Sequence, residues 1–371
     1  MGATLDILHV LRAPVGGLFR HVTDLVRGQA ARGHRVGLIA DDSTGGPQAD
    51  AKLSELAPVL ALGLSRVPMS RDVGPRDVTA CTHVARRAAE VDVVHGHGAK
   101  GGAYARIAPA RRPIRVYTPH GGSLHYAWNS PTGFLYLAAE RLMMPRTDLF
   151  LFESAYGRDV FRAKIGDPGA RARVVHNGVA AAEFAPVAAD KQATDVVFVG
   201  ELRKLKGVDV LIAAVAALAR EGARVTATIV GEGPDRAAFE AAAQPLGPAI
   251  RFVGAKPART AFALGRLLVV PSRAESLPYI VLEAAAAGVP TIATHVGGIP
   301  EIYGPDSAGL VPPGDPAALA QAIRLALDEP ARMKEAALRL QARVRAAFSA
   351  EAMTQAVLDA YGEALRQRRH S

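Results

Sequence analysis

Short apolar runs alternate with stretches of helical spacing along the whole chain. This alternation predicts α/β layers built on mostly parallel sheets. LDILHVL (5–11) reads as a strand and PVGG (14–17) as a tight loop. A helix is expected from about Phe19 to Ala31, closed by Gly33, and RVGLIA (35–40) is the next strand. The same plan returns in the second half. DVVFVG (195–200) reads as a strand, ELRKLKG (201–207) as a loop, 208–220 as a helix and RVTATIVG (224–231) as a strand. Two such openings predict two Rossmann-like domains facing across a cleft, with ligands beyond the carboxyl ends of the strands. The expected division is 1–180, 181–350 and a last helix, 351–371, returning toward the first domain. Met353, Ala356, Val357, Ala360 and Leu365 lie near one face of that helix.

Composition narrows the class. The chain has 371 residues, 49% hydrophobic and 21% charged, which suits a soluble protein with a large core. It has no apolar run of the length that crosses a membrane as a helix. Its start lacks the pattern of a secretory leader. One cysteine, Cys81, excludes an internal disulfide framework. These features together predict a cytoplasmic location.

The net charge is +9, of which the first 190 residues carry +6. Lys100, Arg106, Arg111, Arg112 and Arg115 fall within 100–116 with no acid among them. Two readings follow: a solvated basic face, or attraction to an anionic membrane or a phosphate-bearing substrate. The adjoining segment 123–146 holds Tyr126, Trp128, Phe134 and Tyr136. It is either a packed core helix or a membrane-facing one at the inner leaflet. No basic helix with interleaved aromatics is present, so no nucleic-acid partner is expected.

The chemistry sits in loops that follow strands. PSRAESLPYIVLEAAAAGVP (271–290) places Glu275 before a helix and Glu283 inside it, both in apolar surroundings. Pro278 suits the first turn of that helix, and Gly288 with Pro290 marks its end. A helix N-terminus offers free N–H groups to an anion. A diphosphate there would leave one glutamate on each side, each able to accept hydrogen bonds from hydroxyls. The alternative is a helix-start carboxylate and a solvated one. The loop GELRKLKG (200–207) offers Arg203, Lys204 and Lys206 near another helix start, either for a diphosphate or as a solvated basic loop. Gly16 and Gly17 let backbone approach a ligand, or make an ordinary turn. Gly96, Gly98 and Gly101 match a dinucleotide fingerprint, but no acid follows about twenty residues on, so a nicotinamide cofactor is not expected. His95, His97, His120 and His125 match no common zinc spacing, so no metal is expected either. His120, in TPHGG, follows a strand-like run and is expected to offer a neutral imidazole to a sugar hydroxyl, or to be structural.

Together these loops resemble the retaining glycosyltransferases of GT-B family 4 over nearly the whole chain. Glu275 to Glu283 reproduces the family's E-x7-E motif, followed by AAAAGVPTIATHVGGIPEI and GLVPPGDPAALAQAI. VGELRKLKGVD resembles its phosphate loop, VVHNGV its domain junction, and PVGG and TPHG its first-domain loops. The resemblance implies that Glu283 binds the ribose and that Glu275 contacts the transferred sugar with Ser276 and Leu277 beside it. It implies that Lys206 and a nearby arginine hold the diphosphate, that Gly16 and Gly17 lie against phosphates and sugar, and that His120 sits near the reacting end. Many members carry arginine directly after the phosphate-loop glycine; here that residue is Glu201, and Arg203 would replace it.

The implied reaction moves a sugar from a nucleotide-diphosphate donor to a glycan or lipid-linked acceptor in polysaccharide synthesis, with the anomeric configuration kept. No D-x-D motif occurs, so no metal or other cofactor is expected. His97, Lys100, Arg106 and Trp128 are expected on the acceptor or membrane side. The rival readings are a non-catalytic nucleotide-sugar binder and a nucleotide-sugar epimerase of the same fold.

Overall fold

A computed structural model describes residues 3–70 and 74–370. The chain forms two compact units: Met1–Asn177 with Ala350–Ser371, and Gly178–Ser349. Each is an α/β unit on one parallel sheet.

The sheet of the first unit has seven strands: β1 (Asp6–Leu11), β2 (Arg35–Asp41), β3 (Leu64–Val67), β4 (Val93–His97), β5 (Ile114–Thr118), β6 (Leu149–Phe152) and β7 (Ala172–Val174). Their order is β3-β2-β1-β4-β5-β6-β7, with every pairing parallel. Parallel strands covered by helices on both faces read as unbroken apolar runs, and β4 and β6 are buried end to end. The helix Gly98–Ile107 lies tight on the sheet because glycine leaves room for it. A Cβ on Gly101 would stand 2.3 Å from the Val10 carbonyl oxygen, and one on Gly102 would strike the Tyr117 ring. The glycines that imitate a dinucleotide fingerprint therefore have a packing role.

The helix Ala350–His370 completes this unit's core. Met353, Val357, Leu358, Tyr361 and Ala364 pack with Ile7, Val93 and Val116. Ala356, expected on the apolar face, is exposed instead, since the buried stripe runs through Leu358 and Tyr361. The helix expected from Phe19 starts earlier, at Gly16, so the two glycines form its first turn.

The second unit has β8 (Thr194–Val199), β9 (Ala227–Val230), β10 (Ile250–Phe252), β11 (Gly265–Val270) and β12 (Thr291–Ala293), ordered β10-β9-β8-β11-β12. Its pairings are also all parallel. One apolar cluster gathers around Val196, Phe198 and the helix Val208–Arg220. Another gathers around Leu268, Val270 and the helix Tyr279–Ala286.

In both sheets the strand order reverses beside the first strand: at β1/β4 in the first unit and at β8/β11 in the second. Such a reversal splays the following connections to opposite faces and opens a crevice beyond the strand ends. The loops 12–15, 200–207 and 271–278 all leave strands that flank these reversals.

Candidate active site

In the second unit two loops meet at the β8/β11 reversal. From β8 the chain passes through Gly200 and Glu201, makes a short turn over Lys204–Lys206, and enters the helix Val208–Arg220 at Gly207. Gly207 has φ +74°, and a Cβ there would overlap the Pro271 carbonyl. Only glycine lets the two loops approach so closely. Arg273 reinforces the join. Its guanidinium donates to both Asp209 oxygens at 2.7 Å and to the Lys204 carbonyl at 2.6 Å. This is a planar fork meeting a carboxylate, the geometry arginine supplies and lysine does not.

That join fixes Lys206 over Glu275. The Lys206 Nζ donates to Glu275 Oε1 at 2.7 Å and Oε2 at 2.9 Å, and the Ser272 hydroxyl donates to Oε1 at 2.7 Å. Glu275 is nearly buried, whereas the Lys206 side chain is 29% exposed. The burial of this carboxylate is tolerated because charged and neutral donors meet it. The backbone of Glu275 is braced from behind by the loop 295–298. A Cβ on Gly297 would stand 1.9 Å from the Glu275 carbonyl oxygen, and the Gly298 N–H donates to the Ser276 carbonyl at 2.7 Å.

The helix Tyr279–Ala286 begins just beyond, with Pro278 as the cap residue, whose side chain accepts no hydrogen bond. Leu277 is buried and Ser276 half-buried. Glu283 is half-buried on a helix whose Val281, Leu282, Ala284, Ala285 and Ala286 are all buried. Arg203 points elsewhere than Lys206. It is half-exposed, with its guanidinium 3.8 Å from Glu201.

The first unit has its own polar centre beneath the reversal at β1/β4. Parallel register places His9 opposite His95, and Leu11 opposite His97. His95 and His97 are two apart on β4 and so share a face. The helix Gly16–Ala30 adds His21 and Gln29, and the turn after β5 adds His120. A row of contacts results. Gln29 Oε1 lies 2.8 Å from His9 Nε2, His9 Nδ1 2.9 Å from His97 Nε2, His97 Nδ1 3.0 Å from His120 Nε2, and His120 Nδ1 2.7 Å from Glu153 Oε1. Asn177 binds His21 through its oxygen and Glu153 through its nitrogen.

Burial holds His9, His21, His95 and His97 neutral. It pushes His9 down to about 4 and His21 to about 3, and it lowers His95 and His97 well below the usual imidazole range. For Glu153, burial alone would raise the carboxyl, but the charge and hydrogen bond of His120 outweigh it and bring the group down to about 2.

Residues 15–183 match the model of Glycosyltransferase Family 4, and residues 193–329 that of Glycosyl transferases group 1. The chain belongs to glycosyltransferase family 4. Among relatives, this glycosyltransferase is 29% identical to a glycogen synthase of Mycobacterium tuberculosis, over 96% of its own chain and 93% of the relative. It is 31% identical to a D-inositol 3-phosphate glycosyltransferase of Salinispora tropica, over 54% of its chain and 47% of that protein. The fold is that of GT-B structures. Sucrose-phosphate synthase of Thermosynechococcus elongatus superposes with a TM-score of 0.75 at 22% identity, covering 97% of this chain and 99% of that one. Anabaena Alr3699/HepE, solved in complex with UDP and glucose, gives 0.79 at 20% identity, covering 97% and 100%.

Of the expected site residues of this glycosyltransferase, Lys206, Glu275, Ser276 and Leu277 come together around two joined loops, and Gly16 and Gly17 stand exposed at a helix start. Several expectations need correction. His120 does not offer a ring nitrogen to a sugar, because both nitrogens are bonded inside the first unit and the side chain is 5% exposed. His97 is fully buried in the same row and cannot meet an acceptor. Arg106 is fully buried beneath the Tyr117 ring, 2.8 Å from Glu140, so it presents no charge to a membrane. Lys100 is bound to Asp77 at 2.6 Å and largely covered. The basic run 100–116 is therefore not one surface: Arg115 donates to the Ala108 and Ala110 carbonyls, and Arg112 pairs with Asp92.

Sequence reasoning missed Ser272, Arg273 and Asp209, which position Lys206 and Glu275, Glu153 and His21, which meet His120, and His9 and Gln29, which extend its row beyond His97. Ser272 and Arg273 stand in the quoted motif itself, so a closer reading of its polar positions would have found them.

Proposed function

We propose that the protein transfers a sugar from a nucleotide-diphosphate donor to a glycan or lipid-linked acceptor in polysaccharide synthesis, with retention and without a metal at the diphosphate. The observation that carries this reading is the Lys206–Glu275–Ser272 constellation next to the start of the helix Tyr279–Ala286. A partly exposed ammonium beside a helix N-terminus suits a diphosphate, and it supplies charge compensation that a metal would otherwise give. As the bond between the anomeric carbon and the phosphate oxygen breaks, negative charge grows on the diphosphate. Lys206 stabilises that charge, and Glu275 keeps the ammonium in place while facing the sugar. The departing oxygen takes the acceptor's hydroxyl proton as the new glycosidic bond forms. Glu283 receives the ribose hydroxyls. Arg203 swings from Glu201 to the diphosphate. The crystal complexes of HepE with UDP and UDP-glucose support a nucleotide-sugar donor. A panel of nucleotide sugars, scored for nucleoside diphosphate release with and without membrane extract, tests the reading. Release that needs extract supports transfer, and no release from any donor rejects it.

A peripheral membrane contact is part of this proposal, but through other residues than the basic run. On the helix Pro131–Met143, Phe134, Leu135 and Leu142 are exposed, the last at 80%. Trp128 packs edge-on to Phe134, and Arg141 and Arg146 are exposed nearby in the chain. Apolar side chains flanked by arginines suit an anionic leaflet. Flotation with anionic liposomes should fall for Leu142→Ser with Phe134→Ser; undiminished flotation rejects the contact.

A further inference from the structure

Arg106 stands on the helix Gly98–Ile107 and Glu140 on the helix Pro131–Met143, while Tyr117 belongs to β5 and Ser123 to the short turn that follows it. All four side chains are buried. Arg106 Nη1 lies 2.8 Å from Glu140 Oε2, and the guanidinium lies 3.7 Å over the Tyr117 ring. The other carboxylate oxygen, Glu140 Oε1, accepts the Tyr117 hydroxyl at 2.7 Å and the Ser123 hydroxyl at 3.0 Å. Those two residues flank TPHGG directly, one on each side. From this geometry we infer that Glu140, held by Arg106, is a positioning residue for the TPHGG turn, because one carboxylate oxygen ties both of its ends. The functional part of the inference rests on the glycosyltransfer reading above; the tie does not.

Stability alone does not account for the pair. Taking two charges out of water costs about as much as their attraction returns, and apolar side chains of the same volume often hold a core as well. Here Arg106 Nη1 and Glu140 Oε2 are close, but neither makes an aligned hydrogen bond. What apolar residues could not supply is an acceptor at one fixed point, and two buried hydroxyls need one. Arg106 brings the countercharge, and its Nε is itself fixed by the Gly102 carbonyl at 2.9 Å. Burial, with the Glu140 carboxylate beside it, pushes the Tyr117 hydroxyl well above the ordinary phenol range, so it stays a donor.

The turn is one that needs holding. His120 has φ +52°, the one non-glycine residue with positive φ among the described residues, and Gly121 follows at +74°. Such a conformation costs free energy and persists where the surroundings over-determine it. Thr118 meets His95 Nε2 at 2.8 Å, and the His120 ring meets His97 and Glu153. Those contacts fix 118 and 120, and Glu140 adds 117 and 123. The turn follows the carboxyl end of β5, on the side of the sheet where ligands bind. It also abuts the start of the helix Gly98–Ile107, since a Cβ on Gly122 would stand 3.3 Å from the Ala99 nitrogen. In such a place a shift of about 1 Å can cost about 10²-fold in rate.

The competing reading is that the pair only fastens the helix Pro131–Met143, whose other buried residues are Gly133, Leu137 and Met143. A fastening would add stability and leave the rate of the folded protein alone. The two readings separate at Ser123. Removing its hydroxyl leaves Arg106, Glu140 and Tyr117 in contact, and frees only the far end of the turn.

The test compares Ser123→Ala with the unsubstituted full chain, well below the melting temperature of either. In diphosphate release, kcat should fall about tenfold with little change in donor KM. Amide hydrogen exchange should quicken within 117–126, where the Leu124 and Tyr126 N–H groups bond back to the Gly121 and Ser123 carbonyls, and should stay the same elsewhere. Ser123→Thr, which keeps a hydroxyl, should recover most of both losses. Tyr117→Phe should act in the same direction from the other end of the turn. A lower melting temperature with kcat and local exchange unchanged in Ser123→Ala and Tyr117→Phe would overturn the inference. Faster local exchange with an unchanged kcat would overturn the positioning role as well. Exchange does not depend on turnover, so a loosened turn in Ser123→Ala, in a protein that releases no diphosphate from any donor, would reject the transfer reading and leave the tie in place.

Discussion

Glu153 and Glu275 are both buried carboxylates that follow a parallel strand, yet they are compensated in opposite ways. Glu275 is met by the ammonium of Lys206, which remains partly in solvent. Glu153 is met by the ring of His120, which is buried with it. An ammonium on a flexible stem can turn toward an arriving anion without leaving its carboxylate. A ring clamped at both nitrogens cannot turn without breaking two bonds. The proposed transfer asks the second unit to exchange partners at Lys206, whereas the first unit holds a turn in one shape.

The contrast can be broken most directly at Lys206. Lys206→Ala should lower kcat for diphosphate release about 10²- to 10³-fold, the scale of removing one preorganised charge-stabilising group. An unchanged rate would remove Lys206 from the chemistry and leave its pairing with Glu275 merely structural.

Acid should strike the first unit. His9 and His21 titrate near 4 and 3 when folded, against 6.5 for a free imidazole. As pH falls, the unfolded chain takes up protons that the folded one refuses, so stability is complete above about 6.5 and is lost below it. Each ring should remove on the order of 2 kcal/mol by about pH 5. Urea unfolding at neutral pH and at about pH 5 measures this, and His9→Gln should flatten the dependence. An equal slope in that variant would mean that the row is not buried as described.

Smaller effects sharpen the second half of the comparison. Asp209→Asn weakens the fork with Arg273 that seats Lys206, and should lower kcat/KM about tenfold, or ~1.4 kcal/mol. Arg203→Ala should raise the donor KM by about fivefold or less, since an exposed charged contact contributes at most ~1 kcal/mol. If Arg203→Ala proves as damaging as Lys206→Ala, the arginine is the principal diphosphate ligand.

The two halves also differed in how far they could be read from residues alone. Buried parallel strands are continuous apolar runs, so LDILHVL and DVVFVG were legible, as was the helix 208–220, which the structure places at Val208–Arg220. The two loops that carry Lys206 and Glu275 were legible because each keeps its polar groups close in sequence. Lys206 and Glu275 are 69 residues apart, but each stands in its own recognisable loop. The histidine row was not legible. It draws single residues from β1, β4, a helix, a turn and the end of β6, joined only by parallel register. Arg106 misled for a related reason. Its burial depends on Glu140 and Tyr117, and nothing within 100–116 announces either.

The route of the chain through the two units bears on how the molecule is made. The first unit is interrupted after Asn177 and resumes only at Ala350. Its sheet is synthesised early, but Ile7, Val93 and Val116 wait for Met353, Val357 and Tyr361, and His95 waits for the Tyr361 hydroxyl 2.6 Å away. The core of the second unit is drawn from one contiguous stretch, whereas that of the first unit is complete only with the helix Ala350–His370, which follows the whole of the second unit in the chain.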